Sequence, residues 1–161
     1  INNSDIIDYF RFIDVIIEKY EKNVEIDENL IFVMMSYSNK NKNLEKYYRA
    51  MRSAVNSLGS LYNCLRIKDI NSKSKRVSDE VMNNIRKCRL AIVDLTENRP
   101  NVFYELGYAE GISKDYIITA HIDTDLEFYP SEYGVIRYED AFDLQEKLRY
   151  ALEGELIVKA S

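Results

Sequence analysis

Two continuous apolar runs dominate the hydrophobic pattern, Leu30–Met35 (LIFVMM) and Leu90–Leu95 (LAIVDL). Runs without polar alternation need burial on both faces, as in a central strand of a parallel sheet. Elsewhere apolar residues recur at helical spacing. Leu44, Tyr47, Tyr48, Met51, Ala54, Val55 and Leu58 predict a helix over 42–58 that Gly59 stops. Val81, Met82 and Ile85 predict a helix over 79–88, closed by Cys88, with Ser78 as its N-cap. A helix over 102–113 follows the loop Thr96–Pro100, and Phe142, Leu144, Leu148 and Leu152 mark a last one over 141–153. Shorter strands are predicted at Leu61–Ile67, Tyr116–His121 and Gly134–Tyr138.

Ahead of these, Ile6, Ile7, Phe10, Phe12, Ile13, Ile16, Ile17 and Tyr20 predict a helix over 4–22 with a wide apolar face. The acidic connector Asn23–Asn29 then divides a helical arm, residues 1–28, from a main domain, residues 29–161. Alternating strands and helices imply a parallel sheet covered on both faces. The expected fold is α/β, a flavodoxin-like three-layer sandwich of about five strands in the order 2-1-3-4-5. Its ligand crevice opens at the carboxyl ends of strands 1 and 3, where the winding reverses.

Composition narrows the function classes. The 161 residues carry 30% charged side chains and a net charge of −5, the profile of one globular domain with no broad nucleic-acid footprint. No apolar run approaches the roughly 20 residues of a membrane helix. The chain begins at Ile1 without a signal-peptide pattern, as expected of an excised or trimmed cytoplasmic domain. Cys64 and Cys88 fit reduced, partly buried thiols, and with His121 as the single histidine no conventional zinc site is expected.

The crevice rule selects the candidate residues. Strand 1 delivers Ser36, Tyr37 and Ser38; strand 2 delivers Asp69, Asn71 and Ser72; strand 3 delivers Asp94, Thr96, Arg99, Asn101 and Glu105; strand 4 delivers His121 and Asp123. Glu105 falls in the first turn of its helix, where the dipole favours an ionised carboxylate. Such a group either attacks or stabilises an anomeric carbon as its substituent departs, or simply stabilises the helix. Asp94 either caps the next loop or accepts a ribose hydroxyl. Thr96 and Asn101 suit capping as well as ligand contact, and Arg99 could hold a phosphate. Of Phe103 and Tyr104, one belongs to the core and the other can line the pocket; Tyr37 can stack on a base. His121 is either structural or a general base. Gly107 and Gly111 imply close approach of helix and sheet, since no G-x-G-x-x-G fingerprint is present.

Cys88–Lys114, CRLAIVDLTENRPNVFYELGYAEGISK, resembles the D-L-T-x-x-N-P-N-V-F-Y-E-L-G-Y-A signature of bacterial TIR-like nucleotide-binding proteins, similar in turn to the nucleoside 2-deoxyribosyltransferase superfamily. The resemblance extends in outline over residues 29–153. It implies that Glu105 is the catalytic residue at C1′ of a ribosyl group, with Asp94 near the sugar and Ser36 and Tyr37 lining the pocket. The four residues before Glu105, Asn101-Val102-Phe103-Tyr104, differ from the D-x-G-T of the best-known deoxyribosyltransferases and the W-C-x-x-E of TIR enzymes. The implied activity is hydrolysis of NAD or a related nucleotide, without a separate cofactor, in a bacterial defence effector. Its implied partners are further copies of itself or a sensor domain. The alternatives are a deoxyribosyltransferase-like enzyme and a non-catalytic nucleotide-binding or assembly module. The ligand set expected beside Glu105 is Ser36, Tyr37, Ser38, Asp69, Asp94, Thr96, Asn101 and Tyr104.

Overall fold

The computed structural model describes residues 24–37, 41–70, 77–126 and 134–156. The helix expected over 4–22, Ser38, Asn71 and Ser72 lie outside them. The elements are β1 (Asp27–Met34), α1 (Asn43–Asn56), β2 (Asn63–Arg66), a single 3₁₀ turn (Ile67–Asp69), α2 (Val77–Lys87), β3 (Cys88–Asp94), α3 (Pro100–Gly111), β4 (Tyr116–His121), β5 (Val135–Tyr138) and α4 (Ala141–Leu156). They form one five-stranded sheet in the order β2-β1-β3-β4-β5, with every pairing parallel. This is the flavodoxin-like arrangement expected from the pattern. Right-handed crossovers place helices on opposite faces when the winding direction reverses, which happens here between β1 and β3.

The continuous apolar runs are explained by a core on each face. In β1, Ile31 and Val33 join Tyr48, Met51 and Val55 of α1 and Leu144, Leu148 and Leu152 of α4. Leu30, Phe32 and Met34 join Val81 and Ile85 of α2 and Val102, Leu106 and Ala109 of α3. Period-two side chains thus supply both layers at once, with no polar face left over. Past α1, Gly59 adopts φ +121°, a left-handed turn that a side chain would strain.

Several boundaries differ from the expected ones. β1 starts at Asp27, inside the expected connector, because Asp27 pairs with Cys88 across an irregular register. Cys88 accordingly opens β3 instead of closing a helix. α2 begins at Val77, so Ser78 sits in its first turn and is not the N-cap. Cys64 and Cys88 are free and buried, and burial pushes their thiols up to about 12 and about 11. Among the described residues no helix is long and apolar enough to cross a membrane.

The expected close approach at Gly107 and Gly111 is absent: a Cβ at either position meets nothing within 4 Å. Gly107 lies in the interior of α3 on its exposed side. Gly107→Ala should therefore raise stability by about 0.5–1 kcal/mol, through reduced backbone entropy of the unfolded chain. Denaturant titration checks this; a destabilised variant would mean that another surface occupies the position.

Candidate active site

A cleft of about 560 Å³ opens at the switch point. Ser36 and Tyr37 reach it from the end of β1, Ile67 from the end of β2, Val77, Ser78 and Val81 from α2, and Arg99, Asn101 and Glu105 from the start of α3. The first turns of two helices therefore border the same space, and the positive ends of their dipoles favour an anion there.

The turn between β3 and α3 aims Glu105 into the cleft. Asn98 donates its backbone N–H to the Leu95 carbonyl at 2.8 Å and adopts φ +51°, a left-handed conformation that asparagine tolerates. Pro100 then opens the helix, since its fixed φ and missing N–H suit the first helical position. The helix consequently begins two residues earlier than expected, and Glu105 is its sixth residue. Glu105 lies in the second turn, where the helix dipole has largely faded.

Burial instead of the dipole governs its charge. Glu105 is half-buried, and loss of hydration pushes its carboxyl from the ordinary 4.5 up to about 7. Asn101, one turn earlier on the same helix face, hydrogen-bonds to the carboxylate and opposes that rise. The expectation of a fully ionised Glu105 at neutral pH is therefore corrected: the group is poised between its two forms. Asn101→Ala should move the titration further above 7, because the opposing hydrogen bond is lost. Carboxyl NMR of the Glu105 side chain checks this; a downward move would exclude Asn101 as the holding group.

The remaining candidates separate into two groups. Ser36, buried, and Tyr37, 56% exposed, line the cleft. Asn101 lines it too and does not cap its helix; the N-cap residue is Arg99. Arg99 projects into the cleft while donating to Glu97 at 3.0 Å. Tyr104 is 68% exposed and away from the cleft, and Phe103 packs on the core. Asp69 faces Arg66 Nε at 3.4 Å in the 3₁₀ turn and is not among the residues lining the cleft.

Asp94 and Thr96 belong to an interior network. Asp94 is 2% exposed and does not line the cleft. Its Oδ2 accepts from Thr119 Oγ1 at 2.8 Å and Tyr138 OH at 3.1 Å, and its Oδ1 accepts from the Thr96 backbone N–H at 3.3 Å. Thr96 Oγ1 lies 2.7 Å from Tyr138 OH and accepts the His121 backbone N–H at 2.9 Å. These bonds lace together the ends of β3, β4 and β5. Burial raises the Asp94 carboxyl, against the lowering effect of its donors. His121 stands beside Tyr47 and Tyr138, and its Nε2 meets the Glu139 carbonyl at 2.9 Å. It packs against these rings at the end of β4.

Ile67, Val77, Ser78 and Val81 line the cleft as well. In the sequence Ile67 marks only a strand end, Ser78 only a helix cap and Val81 only an apolar helix face, and nothing local distinguishes Val77. Among the described residues no cluster of three His, Cys, Asp or Glu is placed to hold a metal ion.

Fold and site together define a doubly wound α/β domain with a poised carboxylate at its switch-point cleft. Neither a protein-family model nor a curated protein matches the chain. Nine solved chains do match. One is a 2-desoxiribosyltransferase from Leishmania mexicana, 22% identical with a TM-score of 0.47; the match covers 57% of this chain and 64%, under two-thirds, of that one.

Proposed function

We propose that the chain is an enzyme that opens the N-glycosidic bond of a nucleoside or nucleotide, in the manner of the deoxyribosyltransferases. The observation that carries this reading is Glu105, a half-buried carboxylate raised to about 7 in the switch-point cleft. A carboxylate meant only to stabilise positive charge works best fully ionised. One whose basicity is raised by burial is a better nucleophile toward carbon. In the proposed reaction the Glu105 carboxylate bonds to C1′ as the C1′–N bond breaks, and the base leaves with that electron pair and takes up a proton from water. An acceptor base, or water, then attacks C1′, gives up one proton to the solvent and displaces the Glu105 carboxylate with its original charge. Asn101 orients the carboxylate, and Ser36 and Tyr37 form the opposite wall.

Hydrolysis of a nucleotide, NAD included, is the second reading. Arg99 favours it, as a cation in the cleft that can meet a phosphate beside the helix N-termini. One experiment separates the two. The purified chain is incubated with a deoxynucleoside plus a free acceptor base, and separately with NAD, and products are followed by chromatography. Base exchange supports transfer, and nicotinamide release supports hydrolysis. Both must vanish in Glu105→Gln; turnover that survives this substitution would remove Glu105 from the chemistry. Bound ligand without turnover would identify a binding module.

A further inference from the structure

Glu97 joins the two loops that border the cleft. Its Oε1 accepts from Asn41 Nδ2 at 2.6 Å, in the loop that follows β1. Its Oε2 accepts from Arg99 Nη2 at 3.0 Å, at the start of α3. Asn41 is itself fixed, because its side-chain oxygen and its carbonyl accept the backbone N–H groups of Asn43 and Leu44 at the start of α1. Glu97 is therefore held by both oxygens, and its side chain is only 16% exposed. The Asn41 hydrogen bond, with Arg99 beside it, holds the Glu97 carboxyl below its ordinary value and keeps it ionised.

That anchoring has an electrostatic consequence. Among the described residues, Arg99 is the one cationic side chain that lines the cleft. An exposed ion pair with two free ends exchanges partners at little cost. Here the carboxylate cannot swing away without giving up Asn41, so Arg99 keeps its counter-charge whatever enters the cleft. A phosphate that meets Arg99 meets Glu97 as well, and the repulsion offsets much of the attraction. An uncharged ligand is indifferent to that repulsion.

We propose that Glu97 is a positioning residue that sets the charge specificity of the cleft: by committing Arg99 it lowers the affinity for phosphorylated ligands and favours an uncharged nucleoside over its 5′-monophosphate. Glu97 lines no part of the cleft and acts through Arg99. The choice of a nucleoside as ligand rests on the glycosidic reading above; the effect of Glu97 on anions does not. Arg99 serves a phosphate only in competition with Glu97.

Titration of the full chain, followed by NMR of the Arg99, Asn101 and Glu105 amides, tests the proposal with 2′-deoxyadenosine, its 5′-monophosphate and inorganic phosphate as probes. The unaltered chain should bind the monophosphate no more tightly than the nucleoside. Glu97→Gln keeps the shape and an acceptor for Asn41, so the fold is not at stake. This variant should bind the monophosphate and inorganic phosphate about tenfold more tightly, with nucleoside affinity unchanged within about twofold. The gain should shrink several-fold between about 0.05 M and about 1 M salt, and vanish when Arg99→Gln is added. A merely structural role would move the nucleoside along with the anions and ignore salt. Unchanged phosphate affinity in Glu97→Gln, a gain that survives Arg99→Gln, an equal shift for the nucleoside, or tighter binding of the monophosphate by the unaltered chain would overturn the proposal. If inorganic phosphate shows the gain while the nucleoside fails to bind, the glycosidic reading falls and the effect of Glu97 on anions stands.

Discussion

Glu105→Gln should abolish glycosidic turnover, by a factor on the order of 10³ or more, and at the same time stabilise the folded chain above neutral pH. The two effects have one origin. Folding strips water from the carboxyl, which holds its proton up to about pH 7 in place of the ordinary 4.5. Between those values the folded chain binds more protons than the unfolded one, so stability falls as pH rises through the interval. The full shift corresponds to about 3 kcal/mol, and because the cleft is open to water we expect roughly 1–3 kcal/mol. A glutamine carries no charge to desolvate. The advantage of the variant should therefore be near zero at pH 4, grow through pH 7 and level off above it. Urea titrations of both proteins across this range measure it. Parallel pH profiles would show that Glu105 is not desolvated. In the active protein, kcat/KM should rise with pH through about 7 as the nucleophilic form appears, a limb absent from any residual activity of the variant.

Asp94→Ala should cost roughly 3–5 kcal/mol, whereas Asp94→Asn should cost about 1–2 kcal/mol. Alanine leaves the Thr119 hydroxyl, the Tyr138 hydroxyl and the Thr96 N–H without their acceptor at a position 2% exposed. Unmade hydrogen bonds in a dry interior carry their full desolvation penalty. Asparagine keeps the shape and one carbonyl acceptor, so part of the network keeps its partner. Activity distinguishes the two roles that the sequence left open for this residue. As the tie between β3, β4 and β5, Asp94→Asn should retain turnover within about threefold. As an acceptor for a ribose hydroxyl it would lose about ten- to a hundredfold, the worth of a charge-assisted hydrogen bond. Thermal unfolding and steady-state kinetics on the same variant decide it.

The candidate site was legible in part, and the division has a physical pattern. Ser36, Tyr37, Asn101 and Glu105 were placed by topology: an apolar run that ends abruptly at the switch point delivers its next residues to the crevice. Asp94 and Thr96 obey the same rule by position, yet Tyr138 and Thr119 take up their hydrogen-bonding groups. Those partners lie 25 to 44 residues away in sequence, and no local pattern announces them. Tyr104 and Glu105 are adjacent, but on a helix they point about 100° apart. Burial of Val102, Leu106 and Ala109 against the sheet fixes the rotation of α3, which leaves Tyr104 exposed and Glu105 in the cleft.

The sequence by itself determined the elements, their alternation and the parallel sheet, because side-chain periodicity and turn residues act over a few positions. It also marked the carboxylate that the switch point presents. Only the tertiary structure decided the charge state of Glu105 and the inward role of Asp94. Both depend on which distant groups exclude water or supply a donor, and desolvation is a property of the assembled fold.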